Sequence, residues 1–450
     1  MIKLEEVIVE DMLAARDRRV ELQRRLLQEY KQPLICFTMN IPGPIKVTPL
    51  VKQGFQEGCR AINKVLQQSN MPVLAEQYIE EKTGLEAYYI VEGSAKYIKA
   101  LTSKLENQDA LGRLFDIDVL GVDGRKLSRE ELGLPGRLCL VCNESAQACA
   151  RSRNHTLDVL TKHVHKILEE HLLNRVEKLA HYALLAEVKT TPKPGLVDLD
   201  NTGAHGDMDV HTFELSTEAI VPFFRQMAER GYSWQGSGEG LFLAIRPIGA
   251  AAEKAMFKAT GNVNTHKGII FSLGLMVSFS MWYFAQQGVF AVEEILKLIG
   301  TSVSDILEKD FAKIDKYHPH THGEKLFVKY GYKGIRGEVQ QGFKPLQEIA
   351  LPVLRKLLAE GRERNLAYIQ TLLELMAKIE DTNILIRTSP EMLDYAQKQA
   401  QAILVQGGAL TEHGLQSVWQ LNEDFVAKNM SPGGAADLLI ASIFLVELEA

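Results

Sequence analysis

Cysteine is scarce in these 450 residues, and what there is sits at one end: Cys36, Cys59, Cys139, Cys142 and Cys149. An odd, sparse set in a chain this long excludes a disulfide scaffold and fits reduced thiols in the cytoplasm. Basic charge is not in excess either. The formal net charge is −6, so the broad positive field of a nucleic-acid binder is missing, though a local pocket for phosphates stays open. Long apolar runs are absent as well. The most apolar, IIFSLGLMVSFSMWYFA at 269–285, falls short of the ~20 residues of a membrane span and contains serines. A buried helix at the centre of a bundle is expected there. The N-terminal stretch has no apolar core ahead of a small-residue cleavage site and reads as an amphipathic helix, not a secretory leader.

What is present falls into two rhythms. The first ~170 residues alternate helices with short strands, which is an α+β or α/β pattern. Strands are expected at 33–40, 87–93, 113–120 and 137–142. Helices are expected after Thr48, after Ser94 and, as one long element, from about 145. Beyond about 171 nearly every periodic stretch is helical: 175–188, 210–230, 248–259, 268–287, 292–307, 346–378, 390–406 and 414–428. The expected architecture is an α+β N-terminal domain at 1–172 followed by an all-α helical bundle at 173–450. Cys139-Leu-Val-Cys142, with Cys149 and His155, could be drawn as a zinc site. The surrounding RLCLVC reads as a strand, however, where positions three apart face opposite sides, so plain thiols are expected.

Asp116-Ile-Asp118-Val alternates acid with apolar residues. On a strand the two carboxylates share one face, half of a site for a divalent cation holding a triphosphate. Upstream, Gly93-Ser94 closes a strand and heads a helix, where open N–H groups can take a phosphate. Read blandly, the pair is only a solvated strand face. Strand, Gly-Ser, helix, then Asp-x-Asp resembles the nucleotidyltransferase superfamily, in which Gly-Ser grips phosphate and the Asp pair binds Mg²⁺. The gap from Ser94 to Asp116 is longer than usual there, and Glu144 is the guess for a third carboxylate. A narrower resemblance rests on FTMNIPGPIK, GRLFDIDV and CARSRNH at 149–155. These are similar to the transferase that loads the prosthetic group onto the citrate lyase acyl carrier protein. That resemblance implies Mg²⁺ at Asp116 and Asp118, and phosphate charge at Arg151 and Arg153. It also implies a general base at His155 for the carrier serine.

The helical half carries polar, Gly-rich loops between its helices: 193–209, 260–268, 318–323, 334–338, 381–383 and 431–437. Loops at helix ends commonly gather at one end of a bundle. Each also has a plain reading. Asp209 is a natural N-cap, Glu253 can lie on a solvated face, and His318, His320 and His322 suit a surface turn as well as a metal. Together, EVKTTPKPGLVDLDNTGAHGDMD, RPIGAAAEKAMFKATGNVNTHKGIIFSLG, YGYKGIRGE, DTN and SPGGAADLL resemble the triphosphoribosyl-dephospho-CoA synthase family. Asn262 and Val339 depart mildly from its pattern.

The two resemblances imply consecutive reactions in one cytoplasmic chain. ATP and 3′-dephospho-CoA give 2′-(5″-triphosphoribosyl)-3′-dephospho-CoA and adenine. The phosphoribosyl-dephospho-CoA group then passes to a serine of the apo carrier subunit, with release of pyrophosphate. No nucleic acid or membrane partner is expected. For the synthase step, Asp207, Asp209 and Asp381 are expected to support Mg²⁺ or the sugar cation. Lys193, His266, Lys267 and Arg336 are expected to hold phosphates, and Glu253 and Glu338 to act as acid and base. The alternative is a Mg²⁺-dependent hydrolase cleaving ADP-ribose or nucleosides.

Overall fold

The computed structural model describes residues 4–315, 317–319 and 321–449, and the backbone alone at His322. It divides into two compact units, 1–173 and 174–450, with the division falling inside one helix.

The first unit runs α1 (Val9–Tyr30), β1 (Leu34–Met39), α2 (Pro49–Gln68), β2 (Val73–Glu81), β3 (Gly84–Val91), α3 (Ala95–Leu105), β4 (Phe115–Leu120), α4 (Ala146–Ser152) and α5 (Leu157–Lys189). Its four strands form one sheet in the order β2-β3-β1-β4, with every neighbouring pair antiparallel. β1 is central because both of its faces are apolar enough to bury. Phe37 stacks on Phe55 of α2 with ring centroids 4.9 Å apart. Gly58 of α2 lets the helix come that close, since a Cβ there would meet the Phe37 ring at 2.2 Å. On the other face Leu22, Leu26 and Leu27 of α1 pack on Leu34, Cys36, Tyr88, Ile90 and Leu120. Thr48 caps α2 by accepting from the Val51 N–H, as its position ahead of Pro49 predicts.

Three expectations for this unit change. Residues 137–142 are not a strand. The segment turns back on itself, with Cys139 N–H donating to the Glu144 carbonyl (2.6 Å) and Asn143 N–H to the Cys139 carbonyl (3.2 Å). Pro135-Gly136 before it and left-handed Asn143 (φ 61°) after it favour a tight loop over an extended run. β2 was not expected. It is an edge strand with no fully buried position, and its exposed face mixes Leu74 and Tyr78 with Glu76, Glu80 and Glu81, so the usual alternation of apolar and polar residues is blurred. The single helix expected from 145 is two, because α4 ends on left-handed Arg153 (φ 50°) before α5 begins.

The second unit is helical throughout: α6 (Val210–Tyr232), α7 (Gly238–Ala259), α8 (Lys267–Gln287), α9 (Val292–Ala312), α10 (His322–Tyr330), α11 (Gly334–Gln340), α12 (Leu351–Ala359), α13 (Arg364–Met376), α14 (Thr382–Arg387), α15 (Pro390–Val405), α16 (Glu412–Ala427) and α17 (Gly433–Glu449). α8 is long and apolar enough to cross a membrane, but it is largely buried among α6, α7, α9 and α17. Two glycines allow the α6–α8 contact. A Cβ at Gly231 would lie 2.0 Å from the Ser278 carbonyl oxygen, and one at Gly274 would meet the Met227 sulfur at 2.7 Å. The helix expected over 346–378 is broken after α12, where Gly361 takes φ 71°. His318 is an exposed turn residue 3.2 Å from Asp315. His320 and the side chain of His322 lie outside the described residues.

Candidate active sites

In the first unit the alternation of β4 is realised: Phe115, Ile117 and Val119 are buried, while Asp116 and Asp118 are partly open. Register sets their neighbours. Asp116 lies across from Thr38, which also faces Glu86, and Asp118 lies across from Cys36, which also faces Tyr88. Partial burial, with Asp118 close by, raises the Asp116 carboxyl above its usual range. Cations that the sequence did not single out surround the pair. Lys126 Nζ is 2.6 Å from Asp118, and Arg137 is 3.4 Å from Asp116. Buried Lys99 donates to the Ile117 carbonyl at 2.6 Å. Glu106 organises this frame. It is buried, accepts from the Ile117 N–H (3.0 Å) and pairs with both Arg129 (2.8 Å) and Arg137.

Gly93 (φ 140°) and Ser94 lead into α3, and the Ser94 side chain makes no capping bond, so its hydroxyl is not committed to the helix. Because β3 and β4 are both antiparallel to β1, their C-terminal ends lie at the same end of the sheet, so Gly93-Ser94 follows β3 at the end to which Asp118 is nearer than Asp116. Arg151 and Arg153 are exposed at the end of α4. His155 is placed elsewhere than expected for a base awaiting a hydroxyl: a ring nitrogen lies within 4.8 Å of three cysteine sulfurs. Glu144 is exposed.

In the second unit the polar loops do gather. They line a cavity of about 680 Å³ built from 193–208, 264–268, 321–338, 379–387 and 431–440. Lys193, His266, Lys267, Arg336 and Glu338 all line it. Lys193 is fully buried and ion-paired with buried Glu187. Asp198 braces its loop, accepting from the N–H groups of Lys193 (2.9 Å), Asp200 (2.8 Å) and Asn201 (3.0 Å). Gly195 must be glycine: it takes φ 69°, and a Cβ would sit 2.1 Å from the Met430 carbonyl oxygen.

His266 is not the phosphate cation expected. Burial, with Lys193 near, lowers its pKa to about 3, so the ring is neutral. Its Nδ1 is 2.7 Å from Ser216 Oγ, which itself accepts from the Thr265 hydroxyl at 2.7 Å. The Ser216 proton therefore goes to Nδ1, and the ring proton to Nε2, which is buried with no partner. The phosphate cations left at the cavity are Lys267, Arg336 and two residues the sequence reading missed, Lys333 and Arg387.

The acids are rearranged too. Glu338 is pushed up to about 7 by burial and by the nearby Glu380. Glu253 is 3.2 Å from Lys267 and does not line the cavity among the described residues. Asp207 and Asp209 are exposed and also off the lining. Asp209 is occupied as the N-cap of α6, accepting from the Thr212 N–H at 2.8 Å and its hydroxyl at 2.7 Å. The metal pair expected there is thus not what faces the cavity. Asp381 stands behind the wall, holding the starts of α14 and α17 together through the N–H groups of Asn383 (2.9 Å) and Ala435 (2.9 Å); burial raises it to about 6. Besides Glu338, the acids on the lining are Glu187, Glu324, Glu380 and Asp437, of which Glu187 and Asp437 stand beside Lys193 and Gly268. Burial, then Glu187 and Asp381, raise Asp437 well above the normal carboxylate range. It lies against Gly268, where a Cβ would meet Oδ2 at 2.2 Å. Asp437 was missed because it sits on a helix whose other residues read as core, and Glu187 because it is one charge among many along α5.

Family models match both units. ATP:dephospho-CoA triphosphoribosyl transferase (CitG) covers 173–450, and apo-citrate lyase phosphoribosyl-dephospho-CoA transferase (CitX) covers 7–171. The Protein CitXG of Haemophilus influenzae is 35% identical over 98% of this chain and 96% of its own length. The chain belongs to the CitXG family. The Protein CitXG of Leuconostoc mesenteroides subsp. cremoris is 33% identical over 97% of this chain and 96% of its own. The 2-(5″-triphosphoribosyl)-3′-dephosphocoenzyme-A synthase of Escherichia fergusonii is 39% identical over 60% of this chain and 89% of its own. The chain is accordingly a bifunctional transferase, and nothing in these relatives supports the hydrolase alternative.

Proposed function

We propose that the two units divide two consecutive transfers between them. The chain makes and attaches the citrate lyase prosthetic group. In the helical unit the 2′-hydroxyl of 3′-dephospho-CoA attacks C1 of the ATP ribose, and adenine leaves while the triphosphate stays on the sugar. In the sheet-bearing unit a serine hydroxyl of the apo carrier protein attacks the phosphorus nearest that sugar. Pyrophosphate leaves, and a phosphodiester joins carrier and cofactor. The observation that carries the first assignment is the cavity itself, where cations, a raised acid and buried carboxylates converge from sequence-distant loops.

Adenine leaves poorly unless a proton or strong hydrogen bond meets its ring nitrogen. Glu338, protonated up to about pH 7, is the acid for that step. Neutral His266 offers a fixed N–H donor that costs no charge to bury. Lys267, Lys333, Arg336 and Arg387 hold the triphosphate. Negative charge from Glu187 steadies the cation-like ribose, and Asp437, which its surroundings hold protonated, adds its charge once a cation binds beside it. A magnesium ion would supply charge neutralisation for the triphosphate in both reactions. In the helical unit Asp437 and Glu187 fit such an ion, because a half-buried and a buried acid share one wall with Lys193 as the cation paired there. In the first unit Asp116 and Asp118 fit one: they are neighbouring carboxylates on one strand face, and Asp116 is already raised by partial burial and then by Asp118.

The first unit then has the parts of a nucleotidyltransferase-like site. Gly93-Ser94 takes the terminal phosphates at the head of α3, and Arg137, Arg151 and Arg153 add positive charge. Both substrates of the first step are metabolites of the cytoplasm, where the chain would work. One assay tests the scheme. The full chain is incubated with ATP, dephospho-CoA, Mg²⁺ and apo carrier protein. Adenine should appear only with dephospho-CoA present, and the carrier should gain the mass of phosphoribosyl-dephospho-CoA. Adenine release without dephospho-CoA would overturn the transfer reading.

A further inference from the structure

Cys139, Cys142, Cys149 and His155 take no part in either reaction as described above. They are nevertheless the only group of metal-ligating side chains, among the described residues, whose ligand atoms all lie within 4.8 Å of one another. The backbone builds this cluster deliberately. The turn at 139–142 faces Cys139 and Cys142 the same way, which a strand would not allow. Ser145 caps α4, and that helix delivers buried Cys149 from the opposite side. Arg153 then reverses the chain in the left-handed region, with Asn154 N–H bonded to the Cys149 carbonyl at 3.3 Å, and brings His155 back. All three thiols are free of disulfides. His155 Nε2 is buried with no hydrogen-bond partner, an orphan that a ligand would satisfy.

We propose that Cys139, Cys142, Cys149 and His155 hold a structural zinc ion. The donor set is Cys₃His with a C-x₂-C turn, and zinc takes such sets tetrahedrally at Zn–S of about 2.3 Å and Zn–N of about 2.0 Å. That geometry places ligand atoms roughly 3.3–3.8 Å apart, so the four need to close by only about 1 Å. A disulfide would use two sulfurs and leave an odd thiol beside an unpaired imidazole; a tetrahedral ion uses all four donors. Four protein ligands leave no open position, which makes the ion structural rather than catalytic. Arg113 donates to the Cys139 carbonyl at 2.6 Å, bringing positive charge beside what would be an anionic centre.

The ion also has something to position. Arg137, two residues before Cys139, reaches Asp116 at 3.4 Å and is held by Glu106. Arg113 precedes β4 by two residues, and Arg151 and Arg153 lie between Cys149 and His155. Zinc therefore fixes the basic rim around Asp116 and Asp118. This second part rests on the transferase reading of the first unit; the metal site itself does not. His155, as a ligand, is a positioning residue and not the base for the carrier serine.

The test uses the full chain purified under reducing conditions. Elemental analysis should give one zinc per chain. Replacement by cobalt should give the intense visible bands of a tetrahedral thiolate complex. C142S and C149S should each lower bound zinc at least tenfold, and H155C should keep it where H155A does not. Less than a tenth of an equivalent of zinc, with no cobalt spectrum after anaerobic reconstitution of the reduced chain, would overturn the proposal. So would a disulfide among these cysteines in the metal-free, active protein. Chelation of the wild-type chain guards against misfolded variants: it should cut carrier labelling from preformed donor at least tenfold and leave adenine release unchanged. Labelling that survives complete zinc removal would overturn the positioning role while the metal analysis still decides the site.

Discussion

The chain keeps two acidic sites in opposite settings. Asp116 and Asp118 lie on an open strand face with Lys126 and Arg137 alongside, whereas Glu187 and Asp437 are sunk in the wall of a helical cavity with one buried lysine between them and neutrality. On the proposed scheme the open pair serves a large, protein-bound substrate, because its strand face leaves room for a carrier serine to reach it. The sunken pair suits small molecules only, and its low-dielectric surroundings strengthen every charge it presents. The difference is the one expected between a site that modifies a folded partner and a site that must keep water from a reactive sugar cation.

Crossed substitutions are the sharpest way to break this comparison. Asp437→Asn keeps the shape of the cavity wall but removes a carboxyl that can ionise when a cation binds beside it. It should lower adenine formation from ATP and dephospho-CoA about 10³-fold while leaving carrier labelling from preformed donor intact. Asp116→Asn and Asp118→Asn should do the reverse, costing labelling about 10²–10³-fold with adenine release unchanged. Both activities are read on the same preparations, by chromatography of adenine and mass spectrometry of the carrier. Parallel loss of both activities in any one variant would show that the sites are not separate.

The two sites were also unequally legible. Asp116 and Asp118 announce themselves because a strand alternates with period two, so acids at i and i+2 among Phe115, Ile117 and Val119 declare a common face. The gathering of the helical loops was legible too, from Gly- and Pro-rich breaks at helix ends. Of the cavity's acids Glu338 was legible, from its place in the YGYKGIRGE stretch, but Glu187 and Asp437 were not. Asp437 follows Ala435 and Ala436 inside an apolar helix, and Glu187 lies near the end of α5. Helical periodicity says which face is buried, but not that a buried face borders a cavity. The attractive sequence pair, Asp207 and Asp209, sits in a polar loop because Asp209 starts a helix. The cysteine turn failed differently. RLCLVC has strand composition, but among the described residues its one bridge is from Leu138 to nearby Ser145, and Asn143 bends it into a loop.

Glu338 sharpens the comparison, since nothing in the open site carries so large a proton affinity for a catalytic role. Its pKa of about 7 lies above the usual carboxylate value because burial and Glu380 disfavour the charge. If it protonates departing adenine, kcat/KM for the synthase step falls tenfold per pH unit above about 7. Glu338→Gln should lose about 10²-fold or more and show no such limb. Carrier labelling should keep its own pH profile in the variant. The stability sign follows from the same shift. The folded chain holds this proton between about 4.5 and 7 and the unfolded chain does not, so the contribution to stability declines as pH rises through that window and is level above it. Urea midpoints of wild type and variant, compared across those pH values, should differ by that slope.

The smallest effect is expected where the sequence alone pointed most strongly. Asp209 caps α6 through the Thr212 N–H and hydroxyl, and these bonds lower its pKa, so it is charged and committed at any working pH. Asp209→Ser preserves the cap, because a serine hydroxyl can accept from the same N–H. It should leave both activities within about twofold of wild type. Asp209→Ala removes the cap and should lower the melting temperature by about 2–4 °C, with adenine release reduced no more than the lost structure explains. A loss of a hundredfold or more in the serine variant, with its melting temperature unchanged, would return Asp209 to the chemistry. The sunken acids would then need a partner outside the cavity wall.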